Sequence, residues 1–389
     1  MRLLFVSHSL PPEDRPLDNL GGMQRVALEL DAALRDHTGV TYNTRFLRAP
    51  WKTIHIQSAG FLVGSIPALA RLARRREVDV ILFSSMVTAA LAVFLRPVFQ
   101  RNGIMTAAIV HGLDVTTPSR LYQWFVPKVF AALDLVMPVS AATGEECVKR
   151  GLDRDRLRPV RNGVDTARFV EPGFGRTERR NALAAIDGAD RLPEGAVVLA
   201  SVGRQVERKG FTWFVREVMP GLPDHIHYWL AGDGPEHAAI RGTIEAAGLA
   251  HRVRLLGRVS EEELGALYQG ADLFVMPNIP VPGDMEGFGV VMLEAGLSGL
   301  PSVGARLEGI AEVITNDHNG RLVESGDADA FSTAIRHYVD DPAFLTEASR
   351  SAYQHTRSHF SWASVGAEYV EVLKARLATR DRTAAPAGK

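Results

Sequence analysis

Cysteine is almost absent: Cys147 is the single one in 389 residues, so no internal disulfide can form and nothing points to an oxidising compartment. A secretory leader is not suggested either. Arg2 precedes only the short apolar run Leu3 to Val6, and Pro11-Pro12-Glu13-Asp14 soon interrupts it. The uncharged run Val80 to Leu95 has 16 residues between Asp79 and Arg96, short of the ~20 needed to cross a bilayer. It reads as buried core, splitting into a strand, a Ser84-Ser85 turn and a helix. Walker A and His-Glu-x-x-His patterns are missing, and Gly232-x-Gly234 lacks the third glycine of a dinucleotide fingerprint. No clustered His/Asp set suggests a metal. No nucleic-acid partner is expected. Cytoplasm is the expected location.

What is present fits a soluble two-domain enzyme. The length exceeds one ordinary core, and 46% apolar with 23% charged residues is ordinary for a globular chain. Charge is uneven: residues 1–170 carry a net +7 and residues 171–389 a net −8. Both halves open on a buried-strand pattern, Leu3 to Ser7 and Val197 to Gly203, and continue as short apolar strands alternating with longer helices. The pattern predicts strands at Val78–Phe83, Thr106–Val110, Leu135–Val139, His227–Ala231, Val253–Leu256, Leu273–Met276 and Pro301–Val303. Helices are predicted at Gly22–Asp36, Ala141–Arg150, Glu236–Ala247, Glu261–Gly270 and Val290–Leu297. This is the pattern of an α/β protein with two Rossmann-like, doubly wound parallel sheets. The expected domains are residues 1–175, joined by a crossing helix at 361–379, and residues 176–360, with a disordered tail at 380–389.

Ligands of doubly wound sheets sit beyond the carboxyl ends of the strands, and three motifs fall there. Gly21-Gly22, followed by Gln24, opens a helix whose free N–H groups suit a phosphate, although such a pair can equally be a flexible helix start. Gly203-Arg204, with Lys209-Gly210 five residues on, offers a guanidinium fork and a point charge for a diphosphate; alone it would read as a solvated charge run. In Glu286-Gly287-Phe288-Gly289-Val290, the glycines expose N–H groups at a helix start. Glu294 then falls inside an apolar helical pattern, where a carboxylate is costly to bury without a partner.

The order and spacing of these motifs resemble family 4 of the retaining glycosyltransferases, a GT-B-fold family of two Rossmann-like domains facing across a cleft. Supporting marks are His111-Gly112-Leu113-Asp114, Asn162-Gly163-Val164-Asp165, Gly232-Asp233-Gly234-Pro235 and Asn319-Gly320. The resemblance implies that Arg204 and Lys209 bind the donor diphosphate, with the Gly22 backbone and Gln24 nearby. It implies that Glu286 and the N–H groups of Gly287, Phe288 and Gly289 hold the donor sugar, beside Val290, and that Glu294 holds the ribose. The Gly257 to Val259 loop would meet the base, and His111 would line donor sugar and acceptor. His111, Glu286, Arg204 and Lys209 form the expected catalytic set. Two departures stand out: Gln24 where many members carry Glu, and a long Pro/Gly-rich stretch, Pro277 to Met285, before Glu286.

The implied reaction is transfer of a hexose, with retention and without a metal or other cofactor, from a UDP- or GDP-linked sugar. The acceptor would be a hydroxyl group of a glycolipid, a polysaccharide intermediate or a small molecule. Alternatives are a GT-B-fold epimerase or hydrolase, a pyridoxal-dependent phosphorylase, and a non-catalytic nucleotide-sugar binder. Arg71, Arg74, Arg75 and Arg76, beside Phe61-Leu62-Val63 and a helix at Ile66–Leu72, could meet anionic lipid as a peripheral contact at the inner face of a membrane; a helix C-terminus favours cations as well.

Overall fold

The computed structural model describes residues 1–15, 22–50, 52–169, 171–186, 189 and 192–384. Gly21 and residues 385–389 lie outside these. The chain divides into two units, Met1–Gly163 with Trp362–Lys389, and Val164–Ser361. The division falls at 163 rather than 175. The reason is a long-range pairing: the Val164 N–H donates to the Phe360 carbonyl at 2.7 Å, and Val164 bridges to Ser361.

The first unit runs β1 (Arg2–Leu10), α1 (Gly22–Asp36), β2 (Thr41–Arg48), α2 (Ile54–Arg74), β3 (Val80–Phe83) and α3 (Met86–Arg101). It continues β4 (Met105–Val110), α4 (Gly112–Thr116), α5 (Arg120–Ala132), β5 (Leu135–Pro138) and α6 (Ala141–Lys149). The five strands pair in parallel in the order β2-β1-β3-β4-β5. The strands β3, β4 and β5 are buried at every position, as their unbroken apolar sequences require between two helix layers. The edge strand β2 went unpredicted: TYNTRFLR is half exposed along its length and carries no apolar run. Serines 85 and 140 cap α3 and α6 by accepting the N–H three residues on.

The run Val80 to Leu95 is core, as expected: β3, the two serines and most of α3. A longer apolar helix lies upstream. α2 starts at Ile54, twelve residues before the predicted Ile66, and Ile56–Arg74 is long and apolar enough to cross a membrane by length and composition, with only 22% of its apolar window buried. Exposed Ile56 and Val63 lie on it.

The second unit contains α7 (Arg176–Leu183), β6 (Val197–Val202), α8 (Phe211–Trp213), β7 (Ile226–Ala231), α9 (His237–Ala246), β8 (Val253–Gly257) and α10 (Glu261–Gly270). It continues β9 (Leu273–Met276), α11 (Val290–Leu297), β10 (Ser302–Ala305), β11 (Gly320–Val323), α12 (Ala328–Val339) and α13 (Pro342–His359). Its six parallel strands take the order β11-β10-β9-β6-β7-β8. Arg179 is buried and ties α7 to this unit through the carbonyls of Ala271 and Gly299 and the Ser349 hydroxyl. The last helix, α14 (Trp362–Ala384), belongs to the first unit, where Arg376 Nε donates to the Asp134 carbonyl at 3.0 Å. It runs past the predicted end at 379 and through the start of the expected disordered tail, to Ala384.

Both strand orders reverse direction once. The reversal lies between β1 and β3 in the first unit and between β6 and β9 in the second. Such switch points open a crevice at the carboxyl ends of the flanking strands.

Candidate active site

In the second unit the site forms at the β6/β9 switch point. After β6 the chain turns at Gly203 into an exposed Arg204, whose guanidinium has no protein partner among the described residues. Gln205, fully buried, fixes this loop by donating to the Gly232 carbonyl at 2.8 Å and meeting His237 Nδ1 at 2.8 Å. Glycine is needed opposite: a Cβ on Gly232 would sit 2.0 Å from the Gly203 carbonyl oxygen, and one on Gly234 2.3 Å from that of Gln205.

A 3₁₀ turn, Glu207–Lys209, then swings Lys209 inward, and Gly210 ends it at φ 66°. Lys209 is 7% exposed, and its Nζ lies 2.5 Å from Oε2 of Glu286, itself 8% exposed. The same oxygen accepts from Arg208 at 2.9 Å and from Asn278 Nδ2 at 3.3 Å. Arg208 is shared with Asp284 Oδ1 at 2.9 Å. Burial pushes the Glu286 carboxyl up, but the charges of Lys209 and Arg208 outweigh it and hold the group below the ordinary glutamate value. Burial presses Lys209 below the ordinary lysine value against the pull of Glu286. The contact offsets the cost that either charged group would carry if buried alone.

Glu286 leads into α11. Three successive N–H groups, of Gly287, Phe288 and Gly289, donate to no protein acceptor among the described residues. A helix start with free donors is a place for anions and hydroxyl oxygens. Val290 begins the helix, and Glu294 follows one turn on, 6% exposed, accepting from the Tyr268 hydroxyl of α10 at 3.0 Å. That bond partly answers the cost of placing a carboxylate in an apolar helix. Gly257 ends β8 at φ 68°, and Val259 follows half-buried.

In the first unit, the β1/β3 switch point carries a second polar cluster. Ser84 donates to Ser7 at 3.0 Å, and Gln24 of α1 donates to Ser9 at 3.1 Å. Gly22 opens α1, and among the described residues nothing lies within 4 Å of where its Cβ would sit. His111 stands at the end of β4 as the cap of α4, and Asp114 Oδ2 accepts its backbone N–H at 3.2 Å. Burial depresses the His111 imidazole to about 4, with a hydrogen bond at Ser84 pulling the other way, and depresses His8 to about 4 as well. Burial pushes Asp114 up to about 7 against its bonds to the His111 and Met86 N–H groups. His111 is therefore neutral at pH 7, and its Nε2 is buried without a partner among the described residues. A neutral ring with a free nitrogen can bind a ligand hydroxyl; it cannot act as a standing cation.

Comparison with known proteins bears on both units. The Glycosyltransferase Family 4 model matches residues 20–168, and the Glycosyl transferases group 1 model matches residues 196–341. The chain belongs to the family 4, group 1 glycosyltransferases. It is similar to the amylovoran biosynthesis glycosyltransferase AmsK of Erwinia amylovora, 25% identical over 382 residues, 96% of this chain and 86% of AmsK. It is similar to the GDP-mannose-dependent alpha-(1-6)-phosphatidylinositol monomannoside mannosyltransferase of Mycolicibacterium smegmatis, 26% identical over 319 residues, 80% of each chain. Among solved structures, HepE of Anabaena in complex with UDP and glucose superposes with a TM-score of 0.71 over 96% of this chain and 100% of HepE, at 18% identity. That likeness establishes the GT-B fold, two parallel-sheet α/β domains.

Of the residues marked in this glycosyltransferase's sequence, Lys209, Glu286 and the 287–289 backbone come together in direct contact or in one loop. Arg204 lies on the same β6 loop but reaches none of them. In the first unit Gly22 and Gln24 lie on α1, after β1, and His111 lies at the end of β4. The long stretch before Glu286 closes on itself, with Val281 bridging to Asp284, and so delivers Asp284 to Arg208. Arg208, Asn278, Asp284 and Glu308 were not marked as site residues. Arg208 read as part of a charge run, and the others acquire meaning only through contact with Glu286 or Arg208.

Proposed function

We propose that this glycosyltransferase moves a hexose, with retention of configuration, from a UDP- or GDP-linked donor to a hydroxyl acceptor. The acceptor would be a glycolipid, polysaccharide intermediate or small molecule. The observation that carries the reading is the Lys209–Glu286 pair beside three free N–H groups at the β6/β9 switch point. Arg204 and Lys209 take the diphosphate, supplying the positive charge that a divalent metal would otherwise bring, and no further cofactor is needed. Glu286 and the N–H groups of Gly287, Phe288 and Gly289 bind sugar hydroxyls, next to Val290. Glu294 takes the ribose, and the Gly257 to Val259 loop the base. In the first unit, the resemblance assigns ligand binding to the Gly22 backbone, Gln24 and His111.

Retention is what the family resemblance implies, and the state of Glu286 argues against reaching it by a double displacement through that carboxylate. A carboxylate oxygen already held by an ammonium, a guanidinium and an amide is a poor nucleophile. The step is then a same-face displacement. The bond from the anomeric carbon to the diphosphate breaks, the acceptor oxygen bonds to that carbon, and the acceptor proton passes to the departing diphosphate. Charge builds on the diphosphate as the bond breaks, where one preorganised donor is worth about 3–4 kcal/mol.

Calorimetric titration of UDP, GDP and ADP should show one of them binding, with affinity falling at least about tenfold in Arg204→Ala as a charge-assisted bond is lost. Failure of all three to bind the unaltered protein would remove the donor-site assignment.

We propose in addition that α2 rests on anionic membrane. Exposed Ile56 and Val63 and the basic end at Arg71, Arg74 and Arg75 support this. The protein should float with phosphatidylglycerol vesicles at low salt and not with neutral ones, and Arg74→Glu with Arg75→Glu should abolish flotation. Equal flotation with both vesicle types, or none with either, would rule it out.

A further inference from the structure

We propose that Glu308 is a positioning residue that clasps the sugar-binding end of the donor site, an inference resting on the donor-site reading above. Glu308 follows β10 and opens the 3₁₀ turn Glu308–Glu312. Its backbone sits at φ 48°, in the left-handed region that side chains rarely adopt. Glycine would take this conformation without strain, so the side chain at 308 has to be explained by what it does.

What it does is hold one peptide. Glu308 Oε2 accepts the backbone N–H of Glu286 at 2.5 Å. The next residue, Gly309, donates its own N–H to the Glu286 carbonyl at 3.1 Å. Two consecutive residues thus grip Glu286 by its donor and its acceptor, 22 residues away in sequence. The approach is close enough to exclude a side chain at 309: a Cβ there would lie 2.2 Å from the Gly287 carbonyl oxygen.

The grip fixes two things. It sets the Cα of Glu286, from which the carboxylate reaches Lys209 and Arg208. It also sets the plane from which the free N–H groups of Gly287, Phe288 and Gly289 project. Glu308 itself is only half-buried, so its hold is polar rather than a packing contact. Burial and the Glu286 charge push the Glu308 carboxyl upward, while its bond to the Glu286 N–H holds it down. The carboxylate therefore sits in an unfavourable place on two counts, backbone and charge, and is retained there by one contact to the sugar-binding loop. Of the three non-glycine residues at positive φ among the described residues, Arg76, Glu308 and Asp317, Glu308 is the one bonded to the Glu286 backbone, and strain placed there points to a role in the site.

The test uses the full chain with Glu308→Gly and Glu308→Gln. Glycine relieves the backbone and deletes the acceptor; glutamine keeps an acceptor oxygen without the charge. In Glu308→Gly, hydrogen exchange of the Glu286 amide should rise about tenfold and kcat/KM for the nucleotide sugar should fall at least about tenfold, the size expected for one lost charge-assisted bond. Nucleoside diphosphate affinity should stay within about twofold, since Arg204 and Lys209 are untouched. The melting temperature should not fall. Glu308→Gln should recover most of kcat/KM. Unchanged exchange and wild-type kcat/KM in Glu308→Gly would overturn the clasp, as would a glutamine variant as impaired as the glycine one. Failure of the underlying donor-site reading shows separately, as unaltered protein that takes up no nucleoside diphosphate, and overturns the proposal with it.

Discussion

Lys209→Ala should lower kcat/KM by about three orders of magnitude, a loss of about 4 kcal/mol of transition-state stabilisation. Two losses add. The ammonium that meets the departing diphosphate is gone, and that charge develops only as the glycosidic bond breaks. The effect should therefore fall more heavily on kcat than on binding of the nucleoside diphosphate. Glu286 also loses its nearest counter-ion, at 2.5 Å, and is left to Arg208 and Asn278. A buried carboxylate with a weakened partner set drifts toward protonation or out of position, and either spoils its grip on sugar hydroxyls. Lys209→Arg should restore little, because a planar fork does not fit where a compact ammonium is buried. The measurement is steady-state kinetics beside nucleoside diphosphate titration, with circular dichroism to confirm folding. A Lys209→Ala enzyme within tenfold of wild type would mean that Lys209 is a structural counter-ion, not a phosphate ligand.

Where the sequence could be read, it was because local physics repeats. A strand buried on both faces must be apolar throughout, so VILF at 80–83 and LVMP at 135–138 announce themselves. A helix starting just after such a strand shows its cap and its glycines, which is how the Glu286 and Lys209 loops were found. The edge strand Thr41–Arg48 has no second covered face and so no apolar run. The unit boundary at 163 depends on Val164 pairing with Phe360, nearly two hundred residues away, and no local pattern can show that. Arg208 is the clearest miss in the site. In sequence it is one cation among Glu207, Arg208 and Lys209; in space it joins Asp284 to Glu286. Glu308 is hidden for a different reason. A positive φ normally announces itself through glycine, and here a glutamate occupies it. The family resemblance supplied roles for the motif residues, but their partners Arg208, Asn278, Asp284 and Glu308 came only from packing.

The glycine after Lys209 separates a structural demand from a functional one. Gly210→Ala should destabilise the protein by about 3 kcal/mol and abolish donor binding. At φ 66° a Cβ costs about 1–2 kcal/mol from backbone sterics alone. That Cβ would also lie 2.0 Å from the Pro277 carbonyl oxygen and 3.3 Å from Ile279 Cγ2, and backbone cannot step aside as a flexible side chain can. Overpacking of this kind adds about 1–3 kcal/mol. The cheapest escape is to part the 208–210 and 277–279 loops, breaking the Ile279 N–H to Arg208 carbonyl bond of 3.0 Å that joins them. That motion also draws Lys209 and Arg208 away from Glu286, so stability and site geometry fail together. Gly248 supplies the control. It has the same φ of 66° but open space where a Cβ would go, far from the donor loops in sequence. Gly248→Ala should cost only the dihedral part, about 1 kcal/mol, and leave kinetics unchanged. Chemical denaturation of both variants, with nucleotide titration, measures the difference. If the two alanines destabilise equally, the close approach to Pro277 is not what requires glycine at 210, and the Lys-Gly motif must be explained by backbone conformation alone.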